Sequence, residues 1–167
     1  MATCYRNIAS LVSPAAAVGE LIVITDAAMV VENGQVSWLG KDSDAPSCET
    51  EVDLMGKTVI PGFVDSHSHL VFGGERSEEF ASRMTGEKYQ AGGIKSTVAA
   101  TRNATADDLR SNTAMLVQEF YASGITTFEI KSGYGLDVET EKLSLEIARE
   151  FTDEVTFLGA HVVPSGS

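Results

Sequence analysis

The sequence predicts an α/β architecture: a small β-sandwich-like part, then the first strand–helix units of an incomplete TIM-type (β/α) barrel. Three observations lead there. Residues 1–57 read as strands joined by turns, the amino-terminal β part of a composite β domain. Over residues 58–167, apolar β runs alternate with amphipathic helical patterns, which implies a parallel sheet with helical crossovers. The carboxyl ends of those runs collect polar residues, glycines and histidines: His67-Ser68-His69, Lys131-Ser132-Gly133-Tyr134-Gly135, and His161. In (β/α) barrels that end carries the chemistry, and closure takes roughly 250 residues. Residues 58–167 supply about three βα steps, so this portion is read as truncated.

The elements follow in order. Leu21-Ile22-Val23-Ile24-Thr25 is an apolar, β-branched run. Residues 28–32 and 35–40 flank Asn33-Gly34, a two-residue hairpin signal because both turn positions need positive φ. Residues 42–51 are polar, contain Pro46 and read as a loop. Residues 51–54 lead through Met55-Gly56-Lys57 into an apolar strand that ends in His67 and His69. Residues 77–84 predict a short helix with Glu78 and Glu79 in its first turn, where carboxylates are favoured. Ala91-Gly92-Gly93 reads as a flexible joint. A longer helix over 106–123 opens with a capping-box-like Thr105 and Asp108 and stops at Gly124. Leu109, Leu116, Val117 and Phe120 mark one of its faces. Residues 125–130 are a second buried strand. Asp137 caps a further helix carrying Leu143, Ile147, Ala148 and Phe151. Residues 155–160 are a third strand, followed by His161.

Composition excludes some functions. The 167 residues carry 24 acidic and 12 basic side chains, a net charge of −12, which argues against nucleic acid or an anionic membrane as partner. A small anionic substrate needs only one local arginine. Cys4 and Cys48 match no zinc or redox spacing, and unpaired cysteines fit a reducing cytoplasm. Residues 8–24 are apolar but interrupted by Ser10, Ser13, Pro14 and Glu20, and no charge-free run is long enough to cross a bilayer.

Two imidazoles at i and i+2 on a strand point to one face, and neutral imidazole is the commonest metal ligand. An isolated pair of this kind is more often two polar loop residues, but behind the apolar run it points to metal ligation. Asp65, on the same alternation, suits either orientation of a ligand imidazole or a buried hydrogen-bond anchor. Arg76 follows Gly73-Gly74 and suits a carboxylate, which guanidinium binds bidentately. The alternative is a salt bridge to Glu75, Glu78 or Glu79. Tyr134, between two glycines, is placed to hydrogen-bond a polar ring or to pack on the rim. His161 is placed to stabilise developing negative charge or to sit as a satisfied core histidine. Lys131 is read as structural or electrostatic.

The run Gly56-Lys57-x-Val59-x-Pro61-Gly62-Phe63-Val64-Asp65-x-His67-x-His69 resembles the opening of the amidohydrolase superfamily. Downstream, Glu129-x-Lys131-Ser132-Gly133-Tyr134-Gly135-Leu136-Asp137 and Thr156-Phe157-Leu158-Gly159-Ala160-His161 narrow the resemblance to the imidazolonepropionase family. The resemblance implies hydrolysis of the cyclic amide C–N bond of 4-imidazolone-5-propanoate to N-formimidoyl-L-glutamate, in histidine degradation. It implies one divalent metal, zinc or iron, with His67 and His69 as two of its ligands. It makes Arg76, Tyr134 and His161 substrate-contacting residues, His161 also catalytic, and places Tyr89 near the site. The link from Tyr89 to Gly92 is shorter than the family's. The family's third histidine, aspartate and glutamate have no counterpart here, so the chain reads as an amino-terminal fragment that is inactive alone and binds metal weakly. Homodimerisation or aggregation is expected to cover its open strand edges. Two other readings stay open: another amidohydrolase, such as a nucleobase deaminase, or a non-catalytic fragment.

Overall fold

A computed structural model of the chain describes residues 1–15, 17–74, 84, 93–159 and 161. The chain divides into two compact units, Met1–Pro61 and Gly62–Ser167.

The first unit is built on one four-stranded sheet. Strands β1 (Ala2–Pro14), β2 (Leu21–Glu32), β3 (Gln35–Lys41) and β4 (Thr50–Val59) lie in the order β3-β2-β1-β4. The β1–β2 and β2–β3 pairs are antiparallel and β1–β4 is parallel. Asn33 (φ 53°) and Gly34 (φ 77°) both take positive φ, so the hairpin turn has the handedness that matches strand twist. A sandwich needs a second facing sheet. Among the described residues this unit has one sheet, with apolar clusters around Cys4, Ala28 and Val30 and around Ile8, Leu11 and Ala27.

The β1–β4 pair is irregular at matching places. Asn7 (φ 55°) interrupts β1, while Met55 (φ 52°) and Gly56 (φ 73°) interrupt β4, and the register shifts there. Side chains take over the backbone's bonding: Asp53 Oδ1 accepts from Met55 N at 2.7 Å and from Asn7 Nδ2 at 2.9 Å. Arg6 grips Asp42 with Nε and Nη2 at 3.2 and 3.0 Å, tying β1 to the turn after β3. This guanidinium, with the Asn7 N–H, holds the Asp42 carboxyl below the usual carboxylate range.

The apolar run before the histidines is not one strand. β4 ends at Val59 in the first sheet, and β5 (Phe63–Ser68) begins the second. Pro61 breaks the run because it lacks an N–H and has a fixed φ. At Gly62 a Cβ would run into the Thr126 side chain, so this close approach requires glycine.

In the second unit β5, β6 (Ile125–Lys131) and β7 (Val155–Thr156) form a parallel sheet, with Asp65 opposite Phe128, Ser68 opposite Ile130 and Lys131 opposite Thr156. Helices α1 (Gly93–Asn103), α2 (Ala106–Ala122) and α3 (Val138–Ala148) accompany it. Leu70, Val71, Leu109, Val117, Phe128, Ile130, Ile147 and Ala148 form the core. The helix signals act as expected. Thr105 Oγ1 accepts from Asp108 N at 3.1 Å and Asp108 Oδ2 from Thr105 N at 3.2 Å, a complete capping box. Gly124 leaves α2 at φ 87°, and Asp137 Oδ1 caps α3 through Thr140 N at 2.8 Å.

Two expectations need correction. Gly93 opens a helix where a joint was expected. Part of the buried face of α1 is threonine: Thr97 and Thr101 return their hydroxyls to the carbonyls of Gly93 (3.3 Å) and Thr97 (2.8 Å), so polar letters occupy core positions and mask the amphipathic pattern. The third strand spans only Val155–Thr156, because Leu158 N turns to the Ser132 hydroxyl (3.3 Å) and the chain leaves the sheet. The helix expected over 77–84 lies outside the described residues except for Met84.

Candidate active site

His67 is the exposed penultimate residue of β5, and His69 lies one residue past the strand, half-buried. The backbone after it takes its bonds from helix side chains rather than a sheet. Thr113 Oγ1 reaches the Leu70 carbonyl at 3.2 Å, Asn112 Nδ2 donates to the Phe72 carbonyl at 3.1 Å, and Gly73 N donates to Thr101 Oγ1 at 2.9 Å. Leu70 and Val71 are buried, and so anchor the turn that carries His69. The Asp65 carboxylate accepts from the His67 backbone N–H at 3.1 Å, so Asp65 serves as a backbone anchor.

Four of the residues singled out from sequence come together. The His67 and His69 rings lie 5.7 Å apart, edge to face. His69 stacks on His161 at 4.7 Å, and Tyr134 lies 5.1 Å from His69 and 5.5 Å from His161. Phe72 closes the cluster, 6.3 Å from Tyr134. Arg76 and Tyr89 lie outside the described residues.

His69 is the unusual member. Both of its ring nitrogens are buried and, among the described residues, neither has a hydrogen-bond partner. Burial first, then the neighbouring His161, His67 and Lys131 charges, push its pKa below the ordinary histidine value. The Ser132 backbone opposes this, although it makes no contact of hydrogen-bond geometry with either nitrogen. The ring is therefore neutral near pH 7, the form that ligates metals. Two adjacent imidazoles with an orphaned buried nitrogen fit part of a divalent-metal site. Among the described residues no group of three or more His, Cys, Asp or Glu side chains stands ready to hold one.

The end of β6 is fully paired by contrast. Lys131 Nζ lies 2.6 Å from Glu129 Oε1, both side chains being well sheltered, and the Thr156 hydroxyl donates to the same oxygen. Those two bonds hold the Glu129 carboxyl low against the opposing effect of burial, with the Lys131 and His67 charges adding smaller contributions. The readable signal for Glu129 was alternation: Phe128 and Ile130 are buried, while Glu129 and Lys131 take the other face.

Tyr134 sits on a turn whose backbone is unusual. Gly133 has φ 133° and Leu136 φ 56°. A Cβ on Gly133 would stand 3.0 Å from His161 Cβ, and one on Gly135 would stand 2.7 Å from Glu141 N. Glu141, from the first turn of α3, is 6% exposed. Its Oε1 accepts from Gly135 N and Leu136 N, each at 2.8 Å, while Oε2 is buried without a partner among the described residues. Arg102 of α1 braces the same turn from outside, 2.6 Å from Asp137 Oδ2.

The family model described as "Amidohydrolase family" matches residues 50–135. Among curated relatives, an imidazolonepropionase of Mycolicibacterium smegmatis is 59% identical over 160 residues, covering 95% of this chain and 40% of the relative. One from Streptomyces avermitilis is 56% identical over 142 residues, covering 85% of this chain and 34% of the relative. The chain spans about two-fifths of the length of the first of these. Among solved structures, Escherichia coli guanine deaminase superposes with TM-score 0.62 at 17% identity, covering 99% of this chain and 38% of that one. A triazine hydrolase from Arthobacter aurescens superposes with TM-score 0.61 at 17% identity, covering 89% and 33%. At such identity these structures speak to the fold alone. With just over half of its residues matched by the family model, the chain belongs to the amidohydrolase family.

Proposed function

We propose that the chain forms part of an imidazolonepropionase-type active site, which hydrolyses the cyclic amide C–N bond of 4-imidazolone-5-propanoate to N-formimidoyl-L-glutamate. The observation that carries the reading is His69: two buried, unpartnered ring nitrogens beside His67, Tyr134 and His161. A group this costly to leave unmet marks a place for something else to bind.

In this reading His67 and His69 hold one divalent metal, zinc or iron. A bound ion of this kind polarises a carbonyl and brings the pKa of its water to about 7. Water adds its oxygen to the ring carbonyl carbon, the C–N bond breaks, and the departing ring nitrogen takes up a proton. His161 donates to the carbonyl oxygen as negative charge develops there. Tyr134 hydrogen-bonds the ring and orients it. Arg76 takes the propanoate carboxylate in a bidentate pair. Around them, β5, β6 and β7 serve as the first strands of a (β/α) barrel, with their carboxyl ends toward substrate. We place the enzyme in the cytoplasm, in keeping with two free cysteines. No helix among the described residues is long and apolar enough to cross a membrane.

A chimera tests this: the chain joined to the portion of the Mycolicibacterium smegmatis relative that the match does not cover. The chimera is expected to bind zinc or iron tightly and to open the imidazolone ring, read as loss of the ring's ultraviolet absorbance. The 167-residue chain by itself is expected to do neither. A folded, metal-loaded chimera that leaves the imidazolone intact overturns the proposal, and deamination of guanine by it would favour the nucleobase reading instead.

A further inference from the structure

The Glu141 carboxylate touches none of the rings at the site, yet it is the most deeply buried carboxylate among the described residues and faces the turn that carries Tyr134. We propose that Glu141 is a positioning residue, which holds Tyr134 against His69 and His161 by accepting from the backbone N–H groups of Gly135 and Leu136.

The argument rests on geometry. The two donors are consecutive and follow Tyr134 directly, so one oxygen fixes the peptide planes just beyond the tyrosine. Leu136 stands in the left-handed region, which a residue with a Cβ adopts only when its surroundings hold it there. Gly133, on the other side of Tyr134, is in close contact with His161. The turn is thus held at both ends, by His161 before the tyrosine and by Glu141 after it. The ring that results lies 5.1 Å from His69 and 5.5 Å from His161. A free turn of this length, rich in glycine, would sample many conformations, and the tyrosine hydroxyl would lose its place over the substrate.

The unpartnered Oε2 separates acceptance from charge and from packing. Because Oε2 makes no hydrogen bond among the described residues, Glu141→Gln can put its carbonyl oxygen at the Oε1 position and keep both bonds. Glu141→Met fills the space and accepts nothing. Glu141→Asp keeps the charge but is one methylene short.

The full 167-residue chain is examined by NMR for Overhauser contacts from the Tyr134 ring to the His69 and His161 rings. It is then titrated with imidazole-4-propanoate, a stable ring with a carboxylate tail. The Gln variant is expected to keep the ring contacts and to bind the probe within about twofold of the parent. The Met variant is expected to lose the contacts and to bind about tenfold more weakly, a difference of about 1.4 kcal/mol, with a dispersed spectrum that shows it folded. The Asp variant is expected to fall between. Retained ring contacts in both the Met and Asp variants overturn the proposal. If the Met variant does not fold, the Asp variant decides. The titration rests on the proposed function, whereas the ring contacts do not. A parent chain that ignores the probe but loses its Tyr134 contacts on Glu141→Met therefore upholds the positioning role, while the proposed substrate is decided by the chimera.

Discussion

The ends of the neighbouring strands β5 and β6 treat buried polar groups in opposite ways. At the end of β6, the Glu129 carboxylate takes Lys131 and Thr156. Just past β5, His69 keeps both ring nitrogens out of water with nothing among the described residues bonded to either. Leaving a buried polar group unmet costs about 1–3 kcal/mol, a large fraction of a domain's net stability. The paired group is scaffold that holds a strand end. In the proposed reading, the unpaired ring is where stability is given up so that a metal can bind.

The largest expected effect would erase the contrast by collapsing both ends. Phe128 is 3% exposed, lies opposite Asp65 across the β5–β6 pair and belongs to the core. Phe128→Ala is expected to cost about 3–5 kcal/mol, measured by urea unfolding, with loss of the His69–His161 contact in the folded fraction. A milder result would mean that β5 and β6 hold their ends independently.

Next comes the contrast itself. His69→Leu removes the proposed ligand and an unmet polar group together. It is expected to weaken zinc binding by the chimera by more than about a hundredfold, beyond the range seen when a ligand's hydrogen-bonding support is removed. In the metal-free chain the same change is expected to raise stability by about 1 kcal/mol. Zinc titration against a competing chelator and urea unfolding read the two effects. A destabilised Leu variant would mean that His69 is a satisfied core residue.

Thr105→Ala tests the scaffold side alone. It removes the reciprocal bonds that open α2, the helix whose Thr113 holds the turn after His69. A loss of about 1 kcal/mol is expected, with zinc affinity of the chimera unchanged.

The smallest effect is the acid limb. Asp137 is held below the usual carboxylate range by the Thr140 N–H and by Arg102, and Asp42 by Arg6 and the Asn7 N–H. The folded chain therefore binds fewer protons at these sites than the unfolded chain does. Their contribution is complete above the ordinary carboxylate value, near pH 4, and is lost as pH falls through the lowered folded values. Unfolding at a series of pH values should show a shallower acid decline in Asp137→Asn and in Asp42→Asn than in the parent. An unchanged slope would mean these pairs are screened by water.

Several elements were legible because their rules are local. Asn33-Gly34 specified a hairpin turn, and Thr105 with Asp108, and Asp137, specified two helix starts. Helix α1 escaped because threonines occupy core positions through bonds to their own helix. The apolar run was split by Pro61-Gly62, where two sheets take one strand each. Within the site, His67, His69, Tyr134 and His161 were visible as residue types at strand ends. Glu141 was not, because nothing in its helical surroundings marks a carboxylate that bonds backward to a turn.

By itself, then, the sequence determined the β-rich start, the alternation of strands and helices, the caps and turns, and the histidines to watch. Each of these depends on residues a few positions apart, whose interactions the chain carries with it. Tertiary structure alone decided that the turn after His69 is tied to Thr113, that His161 lies under Gly133, and that both nitrogens of His69 stay bare among the described residues. Whether a buried polar atom finds a partner depends on groups tens of residues away, and only packing brings those groups together or keeps them apart.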